Sequence, residues 1–153
     1  MISWETCKKD FAWDDNFRDI YVFNTTCDDW RSVCEHLSQH YRFAFQVDKI
    51  AQPFPASVED VFAIRKQASP LLQFMAGNIL VMCHFFTPDE IEFDIDARDV
   101  TSQLDLDALL GFLRMVGDVV KKPVSLTPEN VPGCSVITYN PQSGKFGYNS
   151  TDA

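Results

Sequence analysis

The chain has 153 residues, 46% of them hydrophobic and 23% charged, with a formal net charge of −9. That length accommodates one domain with a real core and is short for two. The acidic balance speaks against nucleic acid and anionic membranes, because a protein that binds them must bring cations to displace counterions; it suits a basic partner, or simple solubility.

Thirteen Phe, three Trp and four Tyr supply large apolar surfaces, which argues against disorder. Residues 1–9 lack the apolar run of an export signal. The longest apolar stretch, residues 79–86, falls well short of the roughly 20 residues that a membrane span needs. These features point to a cytoplasmic protein. Cys7, Cys27, Cys34, Cys83 and Cys134 are odd in number and form no CxxC pair, so reduced thiols are expected.

In chain order, residues 1–16 mix Trp4, Phe11 and Trp13 with charges and read as an irregular lead-in. Residues 18–23 are β-branched and aromatic, a strand. Thr26 with Asp29 resembles a capping box and starts a helix over 27–39, with Cys27, Trp30, Val33, Cys34 and Leu37 on its inner face. Tyr41, Phe43, Phe45 and Val47 alternate as in a strand. The Pro53-Phe54-Pro55 segment is a loop, and Ser57 caps a helix through about Gln67, with Val58, Val61, Phe62 and Ile64 inward.

Residues 71–75 and 79–86 form a hairpin about Ala76-Gly77-Asn78. The second of these is apolar on both parities and reads as a central strand covered on both faces. Residues 90–96 return as an alternating strand. A helix over 106–121 is capped by Asp105 and stopped by Pro123, with Leu106, Leu109, Leu110, Leu113, Val116 and Val120 as its stripe. Strands over 124–126, 135–139 and 145–148 complete the chain. The fold class is therefore α+β, a mostly antiparallel sheet with about three helices packed on it, in the order β-α-β-α-β-β-β-α-β-β-β. One domain spans 1–148, and residues 149–153 fray.

The strongest chemical feature is the strand over 90–96. Alternation turns Ile91, Phe93 and Ile95 inward and Glu90, Glu92, Asp94 and Asp96 to the other face, with Asp89 and Asp99 flanking them. Such a row can be a solvated face that discourages edge pairing, or a field that attracts a basic protein. Metal binding and a carboxylate pair for glycoside hydrolysis both fit poorly, because an extended strand spreads its ligands in a line. Cys83 and His84 point to opposite faces and cannot form a dyad; His84 reads as a sheet residue with a hydrogen-bond partner. His36 and His40 have chelating spacing but no third ligand, and they suit the helix C-terminus. No nucleophile elbow or phosphate loop is present, so neither an enzyme nor a cofactor is read from the chain.

In size, acidity and lack of export signal or catalytic motif, the chain resembles the small acidic immunity proteins that bacteria make against toxins. Its Cys83-His84-Phe85-Phe86 and Glu90-Ile91-Glu92-Phe93-Asp94 segments are similar to a recurring signature of uncharacterised bacterial proteins. The resemblance implies a tight complex with a toxin domain whose basic active site is covered by acids. The competing expectations are a ligand-binding or enzymatic domain with a pocket lined by aromatics and His84, and a self-associating structural domain.

Overall fold

A computed structural model describes residues 2–149. Nine strands form one sheet: β1 (Arg18–Phe23), β2 (Phe43–Val47), β3 (Ile50–Ala51), β4 (Pro70–Ala76), β5 (Ile79–Cys83), β6 (Glu90–Ile95), β7 (Val124–Pro128), β8 (Ile137–Asn140) and β9 (Lys145–Tyr148). Their spatial order is β3-β2-β4-β5-β6-β1-β7-β8-β9, and every pairing is antiparallel. Helices α1 (Trp4–Cys7), α2 (Cys27–His40), α3 (Val58–Arg65) and α4 (Gln103–Val120) complete the α+β class, together with 3-10 turns at Lys8–Phe11 and Ala97–Asp99.

The core lies on one face of the sheet. Strand residues of one parity (Ile20, Val22, Leu72, Phe74, Val81, Ile91, Phe93) share a single apolar cluster with Trp30, Leu37, Leu106, Leu109 and Phe112 of the helices. Phe112 of α4 meets Phe93 edge-on at 5.1 Å and Phe74 at 5.6 Å, which seats the helix over the middle of the sheet. At Gly117 a Cβ would fall 2.6 Å from the Tyr139 ring, so glycine lets α4 lie close against β8.

The expected elements mostly stand where periodicity puts them, with corrections. The lead-in is not irregular: Ser3 accepts from the Thr6 amide and starts α1, and the 3-10 turn that follows buries Phe11. Strand β3 has no counterpart in the periodicity; it is an exposed two-residue partner of β2. Helix α4 begins three residues earlier than expected and is capped by Ser102, not Asp105. The Asp105 carboxylate instead accepts from the Thr101 amide and hydroxyl, both at 3.0 Å, and from Asn78 at 3.1 Å, tying the β4–β5 turn to the helix start. The Thr101 hydrogen bonds, foremost, hold its carboxyl below the ordinary range.

Strand β5 ends at Cys83, not at residue 86, and only one of its faces is covered. Ile79, Val81 and Cys83 are buried, whereas Leu80 and Met82 are half-buried on the helix-free face. Among the described residues no helix is long and apolar enough to cross a membrane. The expected frayed tail falls almost wholly outside the described residues; Asn149 is described, and its amide donates to the Val136 carbonyl at 2.8 Å.

Candidate functional site

The carboxylate row does not border the sheet. Strand β6 is the fifth of the nine, hydrogen-bonded to β5 on one side and β1 on the other, so edge protection cannot be its purpose. The alternation holds: Ile91, Phe93 and Ile95 are buried, while Glu90, Glu92 and Asp94 are half-buried on the helix-free face. A central position brings cross-strand neighbours that sequence spacing could not reveal. Asp94 registers with Asp19, and Glu92 with Tyr21, both on β1.

Like charges directly opposite across an antiparallel pair are unfavourable, and local donors offset this pair. Asp19 accepts from the Tyr21 hydroxyl at 3.1 Å and the Asn130 amide at 2.8 Å. Asp94 Oδ2 lies 3.0 Å from His84 Nε2, while its Oδ1 is buried without a partner among the described residues. Burial is the main cause that raises the carboxyl of Asp19; the hydrogen bonds from Asn130 and Tyr21 pull it back, and the charges of Asp94 and Glu129 push it further. Burial likewise raises Glu92, Tyr21 lowers it, and Asp19, Glu90 and Asp94 add to the rise. The Tyr21 phenol is held well above its usual value by burial and by hydrogen bonding to the two acids.

A carboxyl whose folded-state pKa is raised binds its proton more tightly folded than unfolded, so its contribution to stability shrinks as pH rises through the folded pKa. Glu92→Gln removes that loss and keeps an acceptor for Tyr21. The variant should melt higher than the wild type at neutral pH, with the gap closing towards about pH 3, below the unfolded-state pKa, where Glu92 is protonated in both states. A melting point at pH 7 equal to or below the wild type's would contradict this account of the row.

The six acids expected to form one surface divide by role. Asp89 is exposed and Glu90 half-buried, and neither side chain is in an ion pair among the described residues. Glu92 and Asp94 engage Tyr21 and His84. Asp96 starts the second 3-10 turn, accepts from the Arg98 amide at 2.9 Å and pairs with the Arg98 guanidinium at 2.7 Å. The Arg98 hydrogen bond, foremost, lowers its carboxyl. Asp99 Oδ2 accepts from the Leu80 amide at 3.2 Å. Asp96 and Asp99 are thus largely occupied with the fold.

Two exposed rings accompany the acids. Phe23, 40% exposed, registers with Glu90 across β1 and β6 and stacks on Tyr21 at 5.3 Å. Phe86, 49% exposed, stacks on His84 at 5.2 Å and carries Arg65 over its ring at 4.8 Å. Phe86 and His84 line a cavity of about 530 Å³ between the end of β5, the start of β4, the C-terminus of α3 and the β2–β3 turn. Neither Phe86 nor the cavity is legible from the apolar run over 79–86, which hides the point where the ladder stops.

Phe85 marks that stop. It adopts φ +56°, a left-handed conformation rare for a bulky side chain, and its ring is wholly buried. Trp30 stacks on it at 5.0 Å, and Phe62 and Phe54 lie 6.1 and 6.2 Å away. The connection beyond is pinned to α2, because the Pro88 carbonyl accepts from the Thr25 hydroxyl at 2.7 Å and the Trp30 indole at 3.1 Å.

No known protein family, curated protein or solved structure matches this chain. Among the described residues, no group of three or more His, Cys, Asp or Glu side chains is arranged to hold a metal ion. His36 Nδ1 is 3.0 Å from the Ser32 carbonyl, and its ring stacks on His40 at 6.1 Å. The five thiols are free; Cys7, Cys34 and Cys83 are buried, and burial is the main cause that raises them, Cys7 to about 11 and Cys34 to about 12. Cys134 is exposed. Trp30 is core, whereas Trp13 is exposed beneath Arg98 at 3.8 Å.

Proposed function

We propose that the protein is a binding module that engages a basic protein partner through the helix-free face of its sheet. The supporting observation is the carboxylate row at the middle of that face, Glu90, Glu92 and Asp94 with Asp89 beside it, flanked by the exposed rings of Phe23 and Phe86. Exposed aromatics beside fixed charges combine the anchors that dominate interface energies with a field that speeds and orients encounter. Asp96 and Asp99 add to the field while serving the fold. A toxin domain with a basic active site is the partner class that the likeness to acidic immunity proteins implies.

The test begins with the partner captured on the immobilised chain at low salt and then purified. Its association with the wild type should slow steeply as salt is raised. Reversing the two least engaged acids, Asp89→Lys with Glu90→Lys, should cut the association rate about tenfold or more while leaving thermal unfolding close to the wild type. An on-rate that ignores both salt and the double reversal would sink the reading.

A further inference from the structure

The cavity beside His84 is built differently from the surface around it. In a chain of net charge −9, it is lined by Lys49 and Arg65, and neither cation is in an ion pair among the described residues. Arg65 instead lies over the Phe86 ring. Stacking on an aromatic face leaves the in-plane N–H donors of a guanidinium pointing outward, the geometry that receives a carboxylate or phosphate. Leu71 and Pro70, with Phe86, supply an apolar wall.

The walls are fixed before any ligand arrives. Asp48 and Lys49, at φ +49° and +68°, form the tight turn between the paired residues Val47 and Ile50. That turn is fastened to the start of β4 by two hydrogen bonds, from the Asp48 amide to the Ser69 carbonyl at 3.1 Å and from the Ser69 amide to Asp48 Oδ1 at 3.0 Å. The one carboxylate in the lining, Asp48, is therefore engaged with backbone. On the opposite wall, His84 is held by Asp94, and Phe86 follows the buried, left-handed Phe85. A pocket whose polar groups are already oriented loses little entropy on binding.

We infer that this cavity binds a small organic anion with an apolar or aromatic body, its carboxylate or phosphate on Arg65 and Lys49 and its body against Leu71 and Phe86. A volume of about 530 Å³ is within the range of small-molecule sites. The site is separate from Asp89 and Glu90, so its failure and that of the protein-partner reading are distinguishable.

Calorimetric titration of the full chain with four probes tests it: benzoate, phenyl phosphate, inorganic phosphate and benzylamine. At least one aryl anion should saturate with a Kd of about 1 mM or tighter, and the tighter of the two identifies the head group. Inorganic phosphate should bind more weakly and benzylamine not at all. Lys49→Gln with Arg65→Gln should weaken the aryl anion about tenfold or more, with circular dichroism and melting unchanged. In parallel, the imidazole resonances of His84 should move with the aryl anion, assigned by their loss in His84→Gln. The inference is overturned if neither aryl anion saturates by about 10 mM, if benzylamine binds as well, if phosphate alone equals phenyl phosphate, or if the double variant binds like the wild type.

Discussion

Replacing Arg18 by Met should lower the free energy of unfolding by about 3 kcal/mol, because it removes the donor of five hydrogen bonds, one to a buried carbonyl and four part-buried. The Arg18 side chain is 7% exposed at the start of β1. Its Nε donates to the Asp10 carbonyl at 2.9 Å and its Nη2 to the Ala12 carbonyl at 3.0 Å. Its Nη1 reaches the carbonyls of Asn16 and Phe17 and the carboxylate of Asp14 at 3.0 to 3.1 Å. One guanidinium thus folds residues 10–17 around itself and holds Phe11 in the core. Methionine keeps the apolar stem and removes all the donors. Lysine keeps the charge, yet three donors on one nitrogen cannot serve this spread of acceptors, so Arg18→Lys should recover less than half of the loss. Urea unfolding measures both variants, and faster amide exchange at Ala12 and Asn16, whose amides donate to the Lys9 carbonyl and the Asp14 carboxylate, would locate the damage. An Arg18→Met midpoint equal to the wild type's would show that the lead-in contributes nothing to the fold.

What the sequence discloses of this fold follows from how local each signal is. Strand β1 spans the residues that its β-branched and aromatic content suggests, and the capping box of α2 forms through Thr26 and Asp29 as read. The β8–β9 hairpin likewise follows from its turn residues. Such signals need only neighbours in sequence. The cap of α4 misled because Asp105 is a good capping residue, and only its tertiary bond to Asn78 shows why it lies inside the first turn. The position of β6 is beyond local pattern altogether. An alternating strand looks the same at an edge as at the centre, so Asp19 opposite Asp94 was not legible, nor was Arg18 as the hub of the lead-in.

The same limit applies to the acids. Four carboxylates at a spacing of two suggest an even charged stripe, but the fold treats each differently. Asp96 is committed to Arg98, Asp94 to His84, and Glu92 is half-buried against Tyr21; Glu90 and Asp89 remain the least engaged. The helix-free face therefore presents a short acidic centre, with exposed rings beside it and a cationic corner at Lys49 and Arg65 that is in no ion pair among the described residues. A partner or ligand on this face meets both signs of charge within one surface, which favours a single orientation.

The joint between those regions is Phe85, and its replacement should give the largest loss of stability. Phe85→Ala removes a fully buried ring from contact with Trp30 and should cost about 3–5 kcal/mol. Phe85→Gly removes slightly more apolar volume, yet it relieves the left-handed backbone and should be more stable than Phe85→Ala by about 1 kcal/mol. That order reverses the one found at an ordinary strand position, where glycine is the worse replacement. Denaturant midpoints of the two variants measure it, and alanine at or above glycine would show that the strain is not present in solution. Both variants should also loosen Phe86 and His84, because the ring of Phe85 anchors the turn that carries them out to the face. Benzoate or phenyl phosphate should then bind more weakly to Phe85→Gly than to the wild type, even where the variant remains folded, since the cavity wall follows the buried ring.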